Sequence, residues 1–218
     1  MNGKKNDAYL RPVVYKSSKV VGVKLTGLED DFLIFATDMG NYLEVNKGLR
    51  VRVTSWKHVS DNSIPMRCKV NGAYANAALI KTEALDDGYD EAIVLTDDGH
   101  VSGGSAENVF LVRNGVLVTP PETDDILPGI TRDTVITLAR EELGLPVEIR
   151  RIDRTELYIA EEAFFCGTGA QIAPIAEIDH RPIGDGSVGP ITQKIQELYF
   201  RVVRGQVAAY KKWCTPVF

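Results

Sequence analysis

The chain alternates short runs of β-branched and aromatic residues with longer segments of helical spacing, a pattern that predicts strands separated by helices. Four strands are predicted, with the sequences YLRPVVY, FLIFAT, RVRVTSW and EAIVLT, at Tyr9–Tyr15, Phe32–Thr37, Arg50–Trp56 and Glu91–Thr96. The Asp-Gly pair in TDDGHVS and the Asn-Gly pair in NVFLVRNGVLVTP each predict a hairpin turn, because these residues tolerate left-handed backbone angles.

Three helices are predicted. LPGITRDTVITLAREELG begins with Pro128 and stops at Gly144, and a second helix is predicted from about Pro190 to Val203. The small residues after Lys69 in MRCKVNGAYANAALIKTEAL predict a third helix, whereas AEEAFFCGTGAQIAPIAEI predicts two strands joined by a glycine-rich turn. We therefore expect an α+β fold whose mixed or antiparallel sheet is barrel-like and flanked by helices.

Composition narrows the function classes. The 218 residues are 44% hydrophobic and 25% charged, which is ample for a globular core. A net charge of -5 argues against a nucleic-acid partner and favours a small molecule. Three widely spaced cysteines suggest neither a disulfide framework nor a zinc site, so no metal is expected. The polar start MNGKKNDAY and the lack of a long apolar run lead us to expect a cytoplasmic protein with no membrane partner.

Lys69 stands directly before the run of small residues, and two interpretations are open. Its side chain extends outward from tightly packed neighbours, or it lies in an apolar pocket where a lowered pKa lets the amine form a Schiff base with an aldehyde cofactor. Three further segments, SGGSAEN, LPGIT and CGTGAQI, offer backbone N–H groups to an anion. Together with a pocket lysine they indicate a phosphorylated aldehyde, and pyridoxal 5'-phosphate is the one that fits.

The segments KVNGAY, VSGGSAENVFLV, LVTPP, ILPGITRD and FFCGTGAQIAPI occur in an order and spacing that resemble the branched-chain amino acid aminotransferases, which are fold-type IV pyridoxal-phosphate enzymes. The resemblance covers essentially the whole chain. It implies that residues 47–218 are the large cofactor-binding domain of this class, and that residues 1–46 are strands continuing from an absent or truncated N-terminal lobe. It also implies transamination of leucine, isoleucine or valine with 2-oxoglutarate, and a homodimer or larger homo-oligomer.

The same resemblance implies roles for individual residues. Lys69 is similar to the lysine that binds the cofactor and moves a proton at the substrate α-carbon, and Tyr74 to the tyrosine that hydrogen-bonds the phenolic oxygen of the cofactor. The other implied cofactor-binding positions are Gly103, Leu127, Ile130, Thr131 and Thr168. The implied substrate-side positions are Tyr9, Arg11, Tyr42, Gly169 and Ala170.

Gly103 departs from the pattern that the resemblance implies. Family members usually carry a glutamate here that pairs with the pyridine nitrogen of the cofactor, so its loss is expected to weaken binding and slow the reaction. Restoring a glutamate at position 103 is expected to raise cofactor affinity. Glu107, four residues on, resembles a separate family glutamate, and from the far side of a tight turn it is not expected to reach the ring.

Other functions stay open from the sequence alone. A D-amino acid transaminase, an (R)-amine transaminase or an aminodeoxychorismate lyase would share Lys69 and the phosphate turns and differ at the substrate side. A non-catalytic remnant would keep the fold without the chemistry. YLRP and CGTGAQIAPI favour the branched-chain enzymes.

Overall fold

The computed structural model describes residues 7–38, 43 and 47–216, and the chain divides into two compact units, Met1–Tyr42 and Leu43–Phe218. The first unit is a hairpin of strand β1 (Tyr9–Lys16) and strand β2 (Asp30–Thr37), paired antiparallel along their full length. Both predicted strands are confirmed, each slightly longer than the sequence pattern indicates. The hairpin exposes large apolar side chains, among them Val14, Phe32 and Phe35.

The second unit is built on a mixed sheet, and its nine described strands run in the spatial order β5-β4-β3-β10-β9-β6-β7-β8, with β11 paired to β10. Pairs β3·β4, β3·β10 and β7·β8 are parallel, and the other pairs are antiparallel. The strands are β3 (Leu49–Lys57), β4 (Glu91–Leu95), β5 (Val101–Gly104), β6 (Asn108–Arg113), β7 (Val116–Thr119), β8 (Val147–Ile149), β9 (Glu162–Gly167), β10 (Gln171–Ile178) and β11 (Arg181–Pro182).

Connectivity shows that this sheet curls strongly. Strand β5 is at one end of the sheet order and β6 is five positions away, yet only residues 105–107 join them. Three residues span about 10 Å at most, roughly two strand spacings, so a flat sheet could not make this connection. The sheet must bend until β5 approaches β6, which confirms the predicted mixed, barrel-like architecture.

Three helices flank the sheet: α1 (Tyr74–Asp86), α2 (Ile130–Glu141) and α3 (Pro190–Val203). Helix α3 matches its predicted bounds, because Pro190 is favourable at the first turn. Helix α2 begins two residues after Pro128, since Gly129 has extended angles (φ -70°, ψ 136°) and serves as the N-cap. In the described part of the chain, no helix has the length and apolar character needed to cross a membrane.

The buried apolar residues form three clusters. The first lies among the strands and includes Val51, Ile93, Val109 and Phe165. The second joins β6 and β9 to helices α2 and α3, and the third, smaller cluster lies under α1. Alternate residues of β9 therefore face different clusters, as the period of two in a strand requires.

Two short strands, β8 and β11, were missed by the sequence pattern. Strand β11 follows a tight turn at Asp179 and His180, whose φ angles of 48° and 62° are both left-handed. An Asn-Gly turn has the same left-handed backbone angles, and Asn114-Gly115 forms such a turn at the predicted position. An Asp-His pair carries no such signal, so only the tertiary structure identifies the turn.

Candidate active site

Lys69 lies two residues before a short 3-10 helix, Asn71–Ala73, that leads into α1. The predicted helix after Lys69 is confirmed, but the expected apolar enclosure is not present, since Lys69 and its neighbours from Arg67 to Gly72 are exposed. Its Nζ atom is 5.6 Å from the centre of the half-buried Tyr74 ring. Among the described residues Lys69 has no hydrogen bond or ion pair, so its amine is uncommitted.

Carboxylate side chains hold the Lys69 loop (residues 58–70) in place. The Asp125 side chain accepts a hydrogen bond from the Asp61 N–H at 2.8 Å, and Asp61 in turn accepts one from Met66 N–H at 2.8 Å. Asp125 has a left-handed φ of 59°, which directs its carboxylate back toward this loop. The position of Lys69 therefore depends on the segment between β7 and α2.

The β5–β6 turn (residues 102–108) crosses from one edge of the sheet to β6. Its closing bond is donated by Gly104 N–H to the Glu107 carbonyl oxygen at 2.9 Å. The Ser102 hydroxyl donates to the Asp124 carbonyl at 2.7 Å, which ties the turn to the segment that also holds the Lys69 loop. A Cβ atom at Gly103 would lie 2.5 Å from the Glu107 carbonyl oxygen, so this turn leaves no room for a side chain there.

Glu107 is buried beside that turn, with 9% of its surface exposed. Its Oε2 atom accepts the Ala106 N–H at 2.9 Å and lies over Gly104, 2.5 Å from where a Cβ atom would stand. Burial raises the pKa of Glu107 to about 8, and the nearby Glu91 carboxylate adds to the shift, whereas Lys81 and Lys69 oppose it. Burial therefore favours the protonated, neutral form of this carboxyl group.

The start of α2 and the β5–β6 turn are joined by Asn108. Its amide donates to the Leu127 carbonyl at 3.0 Å, and its Oδ1 atom occupies the space that a side chain at Gly129 would need. Thr131, in the first turn of α2, is buried, whereas Ile130 is exposed. The first-turn N–H groups of a helix have no intrahelical acceptor, and the helix dipole favours an anion there.

Two buried side chains brace the start of α2. Burial raises the pKa of Tyr199 in α3, and the Thr131 hydroxyl, which hydrogen-bonds to its phenol oxygen, opposes that shift. The Arg132 guanidinium donates to the Pro120 carbonyl at 2.9 Å, and burial lowers its pKa. Within the described residues Arg132 forms no ion pair, and the charges of Glu122 and Asp133 oppose the lowering of its pKa.

The third glycine-rich segment is the turn between β9 and β10. The register pairs Asn108 with Cys166 and Gly167 with Gln171, so the turn lies at the same end of the sheet as Asn108. Thr168 is exposed, Gly169 is half-buried and Ala170 is buried. The three segments predicted to surround a phosphorylated cofactor are thus neighbours in the fold.

The predicted substrate-side residues fall partly in the first unit. Tyr9 and Arg11 lie on the same face of β1, and the Arg11 guanidinium donates to the Tyr9 hydroxyl at 3.0 Å. Tyr42 lies outside the described residues. Their substrate-binding roles stay predictions.

The donor set of the second unit fits pyridoxal phosphate. It contains an uncommitted amine at Lys69, an aromatic ring at Tyr74 and a helix start for an anion at Ile130 and Thr131. The Ser105 hydroxyl, in the β5–β6 turn, is buried and has no hydrogen-bond partner among the described residues, so it is a polar group that a bound ligand could satisfy. Pyridoxal phosphate presents an aldehyde, a ring and a phosphate to such a set.

Several residues that shape the site were not singled out from the sequence. Asn108 is a polar residue at the start of strand β6, and the four residues after it are apolar; this position is the signal by which the sequence could have identified it. Asp125, Arg132 and Tyr199 act through contacts with segments far away in the chain, and no spacing in the sequence marks them.

The sequence model of the family described as amino-transferase class IV matches residues 1–178. A probable branched-chain-amino-acid aminotransferase of Aquifex aeolicus is 50% identical over 214 residues, which cover 98% of this chain and 69% of that protein. The branched-chain-amino-acid aminotransferase of Pseudomonas aeruginosa is 43% identical over 213 residues, covering 96% and 69% of the two chains.

Solved structures agree. The branched-chain aminotransferase of Thermoproteus uzoniensis, crystallised with norvaline, superposes with a TM-score of 0.95 at 48% identity, covering 100% of this chain and 71% of that one. The enzyme of Thermobaculum terrenum in its pyridoxal-phosphate form gives 0.94 at 41% identity, with the same coverage. These matches confirm the predicted fold class and the prediction of an enzyme. The chain belongs to the class IV aminotransferases.

Proposed function

We propose that this chain transfers the amino group of a branched-chain amino acid, leucine, isoleucine or valine, to 2-oxoglutarate with pyridoxal 5'-phosphate as cofactor. The observation that carries the proposal is the 50% identity to a probable branched-chain aminotransferase over 98% of this chain. A structure with pyridoxamine 5'-phosphate, from a 40% identical relative, supports the predicted cofactor. The names of these relatives favour this function over a D-amino acid transaminase, an (R)-amine transaminase or a lyase.

Bound pyridoxal phosphate supplies an electron sink for negative charge that develops at the substrate α-carbon. Lys69 would hold the cofactor through its aldehyde carbon, and its free amine would carry a proton between the substrate α-carbon and the cofactor carbon. Lys69 is suited to both tasks because its amine has no other partner in the described part of the chain. Tyr74, next to this amine, would orient the cofactor by a hydrogen bond to the phenolic oxygen of its ring.

We propose that backbone N–H and hydroxyl groups at one end of the sheet bind the phosphate of the cofactor. Ile130 and Thr131 offer first-turn N–H groups and a hydroxyl, and Thr168 offers a second hydroxyl from the β9–β10 turn. Leu127 is held beside them by its carbonyl bond to Asn108. On the substrate side we propose that Gly169 and Ala170 receive the carboxylate, and that Tyr9, Arg11 and Tyr42 are substrate-binding residues, as the family resemblance implies.

The partners that follow from this reaction are an amino acid and a 2-oxo acid. We further propose a homo-oligomer, because the apolar residues exposed on β1 and β2 are costly in water. A reducing, cytoplasmic location is consistent with the three free cysteines, Cys68, Cys166 and Cys214.

An absorbance titration of the purified protein with pyridoxal phosphate tests the proposal. A shifted band is expected in the parent and in Lys211→Ala, which removes another exposed lysine, but not in Lys69→Ala. Production of glutamate from leucine and 2-oxoglutarate should follow the band. A parent that forms the band but turns over only D-alanine or an (R)-amine would refute the branched-chain assignment, and a parent without the band would refute the cofactor.

A further inference from the structure

One edge of strand β3 is covered by side chains instead of a strand. Strand β10 pairs with β3 at residues 49–51, and beyond Val51 this edge has no strand beside it in the described part of the chain. Alternate residues of an extended strand direct their N–H and C=O groups to the same edge. The partners of these groups are Asp179 for Val53 N–H at 2.9 Å, Glu83 for Ser55 N–H at 3.1 Å, and Asn76 for Lys57 and Val59. Two of the three partners belong to α1, so this helix is fixed along the open edge of β3.

The Asn76 side chain bonds to β3 as a residue of a neighbouring strand would. Its amide N–H donates to the Lys57 carbonyl at 3.0 Å, and its Oδ1 atom accepts the Val59 N–H at 3.3 Å. In a parallel ladder one residue bonds in this way to the two residues that flank its partner, which here is His58. His58 donates its own N–H to the Leu95 carbonyl of β4 at 2.9 Å. The chain is therefore held from both sides where β3 ends and the Lys69 loop begins.

Apolar packing does not fix the start of α1. Within the described residues, the buried side chains of this helix are Ile80 and Ala84, neither of them in its first turn, and the N-cap residue makes no side-chain hydrogen bond. The Lys69 loop has no buried residue between positions 58 and 70. Tyr74 is the first residue of α1, and Lys69 lies five residues before it. The direction of both side chains therefore depends on polar contacts, and the Asn76 amide is the one that joins the first turn of α1 to the sheet.

We propose that Asn76 is a positioning residue for the reaction at Lys69. This inference rests on the proposed function, because it concerns the cofactor chemistry assigned to Lys69 there. By holding the start of α1 against the end of β3, the Asn76 amide fixes the direction from which the Lys69 amine and the Tyr74 ring approach the cofactor. Asn76 does not touch the cofactor itself and acts through the two residues that it positions.

Two compounds separate this positioning role from a general effect on the fold: pyridoxal 5'-phosphate and pyridoxine 5'-phosphate. They share the ring and the phosphate, but the first has an aldehyde, which can condense with the Lys69 amine with loss of water, and the second has an alcohol, which cannot. The ratio of their dissociation constants therefore reports how well the Lys69 amine reaches the aldehyde carbon. Damage to the phosphate site or to the fold changes both constants alike and leaves the ratio unchanged.

Equilibrium dialysis of both compounds against the parent, Asn76→Ala, Asn76→Asp and Lys69→Ala measures this ratio. The parent should prefer the aldehyde, and Lys69→Ala should show no preference. Asn76→Ala should reduce the preference about fivefold, the size expected for the loss of partly exposed hydrogen bonds between neutral groups. Asn76→Asp should reduce it less, because it keeps the oxygen that accepts Val59 N–H and loses the donor to the Lys57 carbonyl.

Glu83→Ala is the matched control, because it removes a bond between α1 and the same edge of β3, about 10 Å along the helix from Asn76. It should lower stability in urea at least as much as Asn76→Ala and leave the ratio unchanged. An unchanged ratio in Asn76→Ala, or an equal loss in Glu83→Ala, would overturn the inference and leave the proposed function intact. A parent that binds neither compound, or both equally, would instead refute the proposed function. If Asn76→Ala does not fold, the ratio measured for Asn76→Asp decides.

Discussion

The Lys69 loop and the β5–β6 turn serve the same candidate site but are built in opposite ways. The loop is exposed around Lys69, and side-chain carboxylates hold it from a distance. The turn is buried, and its shape is set by backbone contacts at Gly103 and Gly104. The comparison indicates that a substitution at Lys69 should affect the chemistry without affecting stability. In the turn, Gly103 leaves room for the Glu107 carbonyl oxygen and Gly104 for its carboxyl group, so a substitution there should affect the fold.

The largest effect is expected at Lys69. Lys69→Ala should lower transamination by at least about 10³-fold, because no other described residue offers a free amine beside Tyr74. The free energy of unfolding should change by less than about 0.5 kcal/mol, since the side chain is exposed. Rates with leucine and urea unfolding of the same preparation measure both quantities. A loss of stability comparable to a core mutation would show that the loop is not separable from the fold.

At Gly104, unlike at Lys69, a substitution is expected to lower the stability of the fold. In Gly104→Ala the new methyl group would lie 2.5 Å from Glu107 Oε2 and 3.0 Å from the Phe165 ring, so we expect a loss of about 1–3 kcal/mol of stability. Gly22→Ala is the matched control, because nothing lies within 4 Å of that position. Urea unfolding of both variants measures the difference. Equal stability of the two would mean that the turn is not closely packed.

Gly103 tests the comparison further, because the sequence alone predicted that a side chain at this position would improve cofactor binding. A glutamate there was expected to raise cofactor affinity, but a Cβ atom would lie 2.5 Å from a backbone carbonyl. We now expect both Gly103→Ala and Gly103→Glu to lose about 1–2 kcal/mol of stability, and neither to bind pyridoxal phosphate more tightly than the parent. Tighter binding by Gly103→Glu than by the parent would restore the original expectation and show that the turn can open to admit a side chain.

A pH dependence of stability follows from the buried acid in the turn. The pKa of Glu107 is about 8 in the fold and ordinarily 4.5, so the folded protein holds the proton that the unfolded chain releases in between. Stability should therefore fall as pH rises from about 5 to 8, by on the order of 1 kcal/mol or more from this group. Glu107→Gln should lack that decline.

Unfolding curves of the cofactor-free protein at several pH values provide the comparison. Parallel decreases in parent and variant would show that the carboxyl group titrates normally.

The sequence predicted the parts of the molecule that local chemistry determines. Helix α3 begins at Pro190 as expected, and Asn114-Gly115 forms the expected turn, because these residues specify backbone angles by themselves. The exposure of Lys69 was not predictable, since it depends on how the following helix packs. The direction of the Glu107 side chain was not predictable for a similar reason, because it is set by the contacts of Gly103 and Gly104 with the residue that closes the turn.

The smallest effect is expected where the two regions are connected, at Asp125. Asp125→Ala removes the acceptor for Asp61 N–H, and we expect a loss of about 1 kcal/mol and a cofactor affinity reduced a few-fold, because Lys69 is less precisely held. Asp125→Asn keeps an oxygen acceptor and tolerates the left-handed φ of 59°, so it should resemble the parent in both respects. Urea unfolding and cofactor dialysis on the two variants measure these effects. Equal affinities for Asp125→Ala and the parent would mean that the Lys69 loop keeps its position without this anchor, and that the link between loop and turn does not contribute to binding.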